Sequence, residues 1–279
     1  MAIAADLCPW PCRRLSFLSR QGLQAAAVDR DRMRVCTATA QIIKNGRQKG
    51  GVVQLWSLRR GELQMEHAIQ GAPDGGNVQP PRAFFYAPGL RCFLCVAGMN
   101  HVWACDVVTL FPAGYMVMAA DRKLLGSVFH SGRNELAVST ADGVIKVISI
   151  SSTMVRDEVR VRRTPQCEFK VCRSWKESKW FENLCLLERL DRLFGATDTD
   201  IYMWNFVTGH KLCQVDMAHR SKMCSICTFK FKGSNRLATG DQKGIVKVWN
   251  VQVDGLPAQA EFVAHKGSKI QVRLWAGNL

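Results

Sequence analysis

Two cysteine pairs, Cys92-Phe-Leu-Cys95 and Cys224-Ser-Ile-Cys227, have the Cys-x-x-Cys spacing from which four thiolates can build a tetrahedral zinc site. Both pairs fall in short apolar runs that predict strands. Residues three apart on a strand point to opposite faces, so neither pair can share one ion. Of the twelve cysteines in the chain, most of the other eight are scattered through similar runs. They read as small core side chains in a reducing compartment rather than as a disulfide framework. Cys8 and Cys12 lie in a Pro-rich stretch with no histidine nearby and are assigned no role. Nucleophilic catalysis would need a Ser or Cys beside a base, and the six histidines, His67, His101, His130, His210, His219 and His265, have no catalytic motif around them. There is no Gly-rich phosphate loop, paired-carboxylate pattern or metal-ligand cluster. The sequence therefore predicts a protein that is not an enzyme, with no cofactor, no metal and no small-molecule substrate.

Basic character is the other chemical signal. Lys and Arg outnumber Asp and Glu by 38 to 23, giving a net charge of +15 and a pI near 9.5, which favours acidic partners such as RNA, anionic membranes or acidic protein patches. Arg30, Arg32 and Arg34 alternate along one predicted strand face, as do Arg160 and Arg162. Between 169 and 181, Lys170, Arg173, Lys176 and Lys179 interleave with Trp175, Trp180 and Phe181, a composition suited to stacking on bases while meeting phosphates. The alternative for the same stretch is a solvated loop anchored by its aromatics. The first 28 residues hold one acid, Asp6, against Arg13, Arg14 and Arg20, as transit peptides do, but Pro9 and Pro11 break any early amphipathic helix. The expected location is intracellular, cytoplasmic or nuclear, with a mitochondrial location as the alternative.

The elements that must position these groups repeat. Gly51-Val-Val-Gln-Leu-Trp-Ser-Leu58, Gly143-Val-Ile-Lys-Val-Ile-Ser-Ile150 and Gly244-Ile-Val-Lys-Val-Trp-Asn-Val251 nearly superimpose, Asp200-Ile-Tyr-Met-Trp-Asn-Phe206 keeps the frame one residue shorter, and His101-Val-Trp-Ala-Cys-Asp106 is a fainter copy. The equivalent positions are Trp56, Cys105, Ile148, Trp204 and Trp249. Each segment is β-branched and apolar, follows a turn signal and is too short for a helix, so each predicts a strand. About a dozen residues upstream of each lies a second apolar run, such as Leu193-Phe-Gly-Ala196. Small side chains without apolar/polar alternation fit strands covered on both faces. At 279 residues and 47% apolar composition the chain has ample material for such a core.

The clearest unit runs from Ala218-His219 through Ile226–Phe231, Leu237-Ala-Thr-Gly240 and Val246-Lys-Val-Trp-Asn250. It resembles the WD-repeat family, with its Gly-His start, Leu-Ala-Ser-Gly strand and Trp-Asp end, over roughly residues 22 to 279 and most closely after 185. The resemblance implies an all-β, WD-repeat-like β-propeller of about five recognisable blades, 22–70, 80–118, 122–163, 165–216 and 219–262. A tail or extra strand at 1–21 and a partial sixth blade at 264–279 flank them. With seven blades usual in the family, the expectation is a chain that is either truncated or an open ring. The resemblance also implies a buried network of histidine, hydroxyl, aspartate and tryptophan in each blade. His219, Thr239 and Trp249 match it, and His265 has the blade-start place. The aspartate position, six residues before the tryptophan, is Lys243; elsewhere it is Gly50, Met99, Asp142 and Asp198, the last paired with Trp204. Blades held more by packing than by polar bracing are expected.

The function this implies is a non-catalytic WD-repeat scaffold mediating protein–protein interactions within a multiprotein complex. The alternative is a basic WD-repeat protein associated with RNA or a ribonucleoprotein, with 160–179 as its acidic-partner surface. Leu58-Arg-Arg-Gly61 resembles the paired-arginine signature of phosphoinositide-binding propellers, and Trp56-Ser-Leu-Arg59 partly resembles the Trp-Asp-x-Arg box of ubiquitin-ligase substrate receptors. Both are minor alternatives, because the frame shared with Trp204-Asn-Phe-Val-Thr-Gly209 places Arg59 and Arg60 in a hairpin turn before a glycine able to take φ > 0. Membrane binding is accordingly not expected.

Overall fold

β-Branched and small apolar runs punctuated by turn residues fold into twenty strands, here seen in a computed structural model that describes residues 23–29, 31–42, 48–69, 81–97, 100–118, 123–157 and 162–264. The described residues contain no α-helix, only 3-10 turns at Pro88–Leu90 and Glu188–Leu190. The expected tail at 1–21 and the partial sixth blade beyond 264 lie outside them.

The strands form five four-stranded sheets, each consecutive in sequence. The first contains β1 (Leu23–Asp29), β2 (Arg34–Ile42), β3 (Gln48–Ser57) and β4 (Leu63–Ile69), and the second β5 (Pro81–Ala87), β6 (Cys92–Ala97), β7 (His101–Asp106) and β8 (Pro112–Val117). The third contains β9 (Leu124–His130), β10 (Glu135–Thr140), β11 (Val144–Asp157) and β12 (Arg162–Lys176). The fourth contains β13 (Asn183–Leu187), β14 (Arg192–Ala196), β15 (Ile201–Asn205) and β16 (Lys211–Val215), and the fifth β17 (Met223–Phe231), β18 (Ser234–Asp241), β19 (Ile245–Asn250) and β20 (Ala258–Val263). Meander sheets of this kind are the blades of an all-β propeller fold.

The sequence repeat is a repeat of register. In the five sheets the residue opposite Trp56, Cys105, Ile148, Trp204 or Trp249 on the preceding strand is Val35, Phe93, Leu136, Leu193 or Leu237. Turns repeat as well. Gly61 N–H donates to Ser57 O and Ser57 N–H to Glu62 O, while Gly209 N–H donates to Asn205 O and Asn205 N–H to His210 O. Gly61 and Gly209 have φ of 71° and 72°, and Leu110 takes the same place in the second sheet at φ 57°. Arg59 and Arg60 lie exposed in the first of these turns.

One expected boundary moves. β11 runs on to Asp157, so the strand returning from it starts late and continues to Lys176. Residues 165–176 therefore complete the third sheet instead of opening the fourth, and the expected spans 122–163 and 165–216 become 124–176 and 183–215. Arg30 lies outside the described residues, Arg32 is in a turn and Arg34 begins β2, so these arginines do not line one strand face.

The chain divides into two compact units, one of residues 1–115 with 154–166, the other of 116–153 with 167–279. In the first, Cys36, Ala38, Val53 and Leu55 of one sheet pack with Phe84, Phe93, Cys95 and Cys105 of the next. In the second, Ala137, Ile145 and Val147 meet Leu193, Tyr202 and Trp204, while Phe194, Ala196, Ile201 and Met203 meet Ile226, Leu237 and Trp249. The fourth sheet is thus covered on both faces, which is why Leu193-Phe-Gly-Ala196 has no polar side.

Candidate functional site

The densest polar cluster sits inside the fifth sheet. β18 alternates its side chains, so Leu237, Thr239 and Asp241 share one face, with Trp249 of β19 opposite Leu237. Trp249 Nε1 donates to Thr239 Oγ1 at 2.9 Å, and Thr239 Oγ1 lies 2.7 Å from His219 Nε2. The indole can only donate, so Thr239 Oγ1 accepts from Trp249, and the direction of its bond with His219 Nε2 follows the histidine's tautomer. His219 Nδ1 is 3.4 Å from Asp241 Oδ2, an electrostatic contact longer than a good hydrogen bond. Asp241 accepts further bonds from Ser221 Oγ at 2.5 Å and from the backbone N–H groups of Lys243 and Ile245 at 3.0 and 2.9 Å.

His219, Thr239 and Trp249 come together with a buried acid, and that acid is Asp241 rather than a residue at 243. The expectation of a network lacking its aspartate is corrected. An acid two residues earlier reaches the same histidine from the strand instead of from the turn. Burial raises the Asp241 carboxyl, but the Ser221 hydroxyl, the two backbone N–H groups and His219 outweigh it and hold the group below its usual range. Burial depresses His219, and Asp241 only partly counters this.

A hydroxyl, an imidazole and a carboxylate in this order are the components of acyl-transfer catalysis. Here Thr239 and Asp241 have no exposed surface and Trp249 already occupies the hydroxyl, so no substrate carbonyl can approach. The arrangement braces the sheet.

Other sheets carry versions of it. In the first, Trp56 Nε1 donates to Thr37 Oγ1 at 3.1 Å. In the fourth, the position equivalent to Thr239 is Gly195, opposite Tyr202. A Cβ on Gly195 would come within 2.9 Å of the Trp204 ring, so the indole fills the space of the missing side chain. Its N–H turns to Glu177 Oε1 at 2.8 Å. Asp198, expected to join Trp204, is instead exposed and 3.2 Å from Lys222 Nζ. Its position in the turn before β15 aims it at the neighbouring segment. Cys95 and Val138 hold the hydroxyl position in the second and third sheets, opposite Trp103 and Lys146.

Part of the aromatic and basic stretch 169–181 is engaged within the fold and part is left exposed. Arg173 Nη2 pairs with Glu135 Oε2 at 2.6 Å and its guanidinium lies over Phe206. Trp175 is half-buried against Trp204, and Phe181 is fully buried, edge-on to both Tyr202 and Trp204. Lys170, Lys176, Lys179 and Trp180 remain exposed. Arg160 is outside the described residues and Arg162 is described only as backbone in β12. Within β12 alternation turns Arg173 and Trp175 inward and leaves Lys170 and Lys176 outside, while Lys179, Trp180 and Phe181 follow the end of the strand.

A second cluster was not foreseen from the sequence. His130, buried at the end of β9, has Nε2 3.0 Å from Asp191 Oδ1, and Arg133 grips both Asp191 oxygens at 2.9 and 3.0 Å. The Arg133 bonds, against burial and with help from His130, keep the Asp191 carboxyl below its usual range. Asp191 stands at φ 50° after the turn at Glu188–Leu190, and the partners are about sixty residues apart, so no local motif announces them.

None of the ten described cysteines is in a disulfide, and among the described residues no group of three or more His, Cys, Asp or Glu could hold a metal ion. Burial pushes the Cys95 and Cys36 thiols well above their usual range, which keeps them protonated.

No protein-family model matches this sequence, and no curated protein does. Among solved structures, one described as the crystal structure of a mitotic checkpoint complex contains a chain similar to this one. The match has 14% identity and a TM-score of 0.64, over 90% of this chain and 69% of the other. At that identity the likeness is one of fold, a β-propeller.

Proposed function

We propose that the chain is a divergent WD-repeat protein acting as a non-catalytic scaffold for protein–protein interactions in a multiprotein complex. The observation that carries this reading is the buried chain Trp249–Thr239–His219–Asp241, in which His219, Thr239 and Trp249 occupy the places where the WD-repeat resemblance puts its bracing residues and Asp241 supplies the acid from two residues before its expected place. Groups that could do chemistry are spent inside the sheet, and the turns and loops between strands are left as the surface a partner can read. The similar solved chain also comes from a complex, which supports the same class of role. RNA association loses its main structural argument, because Arg173, Trp175 and Phe181 are engaged within the fold.

Tagged full-length chain captured from cells under gentle crosslinking, then sized by chromatography with light scattering, tests the proposal. The expected result is co-elution with the same proteins in fixed stoichiometry. A monodisperse monomer with no stoichiometric partner overturns it.

A further inference from the structure

In an antiparallel meander the first-to-second and third-to-fourth turns of every sheet emerge at the same end. At that end of the fourth and fifth sheets three large apolar side chains stand in water: Leu190 at 42% exposure, Phe231 at 54% and Val253 at 75%. They belong to one neighbourhood. Arg192 donates from Nη1 to Leu190 O at 2.9 Å and from Nη2 to Val253 O at 3.5 Å, fixing those two turns side by side. Val251 N–H donates to Asn235 O at 3.1 Å, which brings the 251–256 loop against the hairpin that carries Phe231.

The charges around the trio are mostly of one sign. Arg189, Arg192, Lys230 and Lys232 sit among them, and none of the four is in an ion pair among the described residues. Among the described residues the Arg192 guanidinium bonds backbone carbonyls and no carboxylate, its Nε having no partner, and Lys232 Nζ lies 5.5 Å from the centre of the Phe231 ring. Of the nearby carboxylates, Glu188 is taken by Ser131, which leaves Asp254. Water-exposed apolar groups ringed by uncompensated cations match a partner with apolar side chains set among acids. Leu190 and Val253 are aliphatic and the face of Phe231 carries a lysine, so side-chain packing suits the trio better than base stacking.

We propose that this end of the fourth and fifth sheets is a docking surface for an acidic peptide segment of another protein, with apolar side chains seated on Leu190, Phe231 and Val253. The proposal rests on the scaffold reading above and names the chemistry of one partner.

Fluorescence anisotropy with the full chain tests it, using a labelled peptide in which Leu and Phe alternate with Glu and Asp. A matched peptide with Ser replacing Leu and Phe, and an oligouridylate RNA, serve as comparators. The alternating peptide is expected to bind saturably and more tightly than either. The variant Leu190→Asp/Val253→Asp, and separately Lys230→Glu/Lys232→Glu, should weaken it by roughly tenfold or more. Arg59→Glu/Arg60→Glu, an equal charge change on the β3–β4 turn, should leave it unaltered. Leu190 and Val253 are already in water, so the variants should melt with the wild type. No binding of the alternating peptide, equal binding of the Ser peptide, equal binding by the patch variants, or preference for RNA overturns the assignment. If the cellular complex survives intact in Leu190→Asp/Val253→Asp, this surface is wrong while the scaffold reading stands. If wild type itself forms no complex, the scaffold reading falls.

Discussion

Thr239→Val isolates what the brace contributes. Valine keeps the shape of threonine and removes only the hydroxyl that links Trp249 Nε1, at 2.9 Å, with His219 Nε2, at 2.7 Å. Both partners are buried, so each is left without its hydrogen bond in a place water does not reach. An unsatisfied buried polar group costs about 1–3 kcal/mol, so two cost roughly 2–6 kcal/mol. Burying the extra methyl returns about 1 kcal/mol. The second unit should therefore lose about 2–4 kcal/mol, the middle of the remaining range of roughly 1–5 kcal/mol. At a urea dependence of about 2 kcal/mol per molar, the midpoint of its transition falls by about 1–2 M. Tryptophan fluorescence during urea unfolding measures this, with Thr37→Val as the internal standard. Among the described residues the Thr37 hydroxyl accepts from Trp56 and no second side chain, and Trp56 is only half-buried, so that change should cost about 1 kcal/mol. A loss below about 0.5 kcal/mol for Thr239→Val, or losses equal at the two sites, would refute the reasoning, since the second case means the histidine link contributes nothing.

Glu177→Ala removes the only acceptor seen for the Trp204 indole and should destabilise the second unit by about 1–3 kcal/mol, read by the same urea titration. Gly195→Ala would drive a methyl to within 2.9 Å of Trp204 and 2.8 Å of Phe181, both buried rings, and should cost about 1–3 kcal/mol in the thermal or urea midpoint. Acid should weaken the second unit in two stages. His219 titrates below its ordinary 6.5 when folded, so as pH falls past 6.5 the unfolded chain takes up the proton first and stability declines. Asp241 titrates below 3.8, so its contribution holds above that pH and is lost beneath it. In His219→Gln the first decline should vanish from the pH dependence of the urea midpoint, and an unchanged slope would count against this. Finally, Trp56→Phe removes the donor that Thr37 serves, so Trp56→Phe/Thr37→Val should cost less than the two single changes summed, by about 0.5–1 kcal/mol of coupling in a double-mutant cycle.

The blade frame was legible because it depends on local chemistry. Turn residues able to take positive φ, such as Gly61 and Gly209, and β-branched runs of fixed length recur in the chain itself, and register follows from them. The boundary after Lys176 was not legible, because a strand that outgrows its sheet looks in sequence like an insertion. Nor could the interleaved aromatics and cations of 169–181 reveal their fate. Within β12 the alternation that suggests a stacking surface is also strand alternation, and only the neighbouring sheet decides that Trp175 turns inward while Lys170 and Lys176 stay in water. Asp241 was partly legible. A rule that counts six residues back from the tryptophan misses it, whereas strand parity with Thr239 places it on the histidine's face.

The distribution of polar bracing among the five sheets follows from the indole rather than from a motif. Where the repeat position is tryptophan, a buried N–H needs an acceptor, and each sheet supplies one: Thr37 for Trp56, Thr239 for Trp249 and Glu177 for Trp204. The third case shows the requirement most directly, since the hydroxyl position is glycine and the acceptor comes from a carboxylate twenty-seven residues earlier, on the segment after β12. Where the repeat position is Cys105 or Ile148 the demand disappears, and the hydroxyl position has become Cys95 or Val138, both fully buried. At these two repeat positions donor and acceptor have gone together and apolar packing closes them, while the buried indole N–H groups of Trp103 in the second sheet and Trp175 in the third have no hydrogen-bond partner among the described residues.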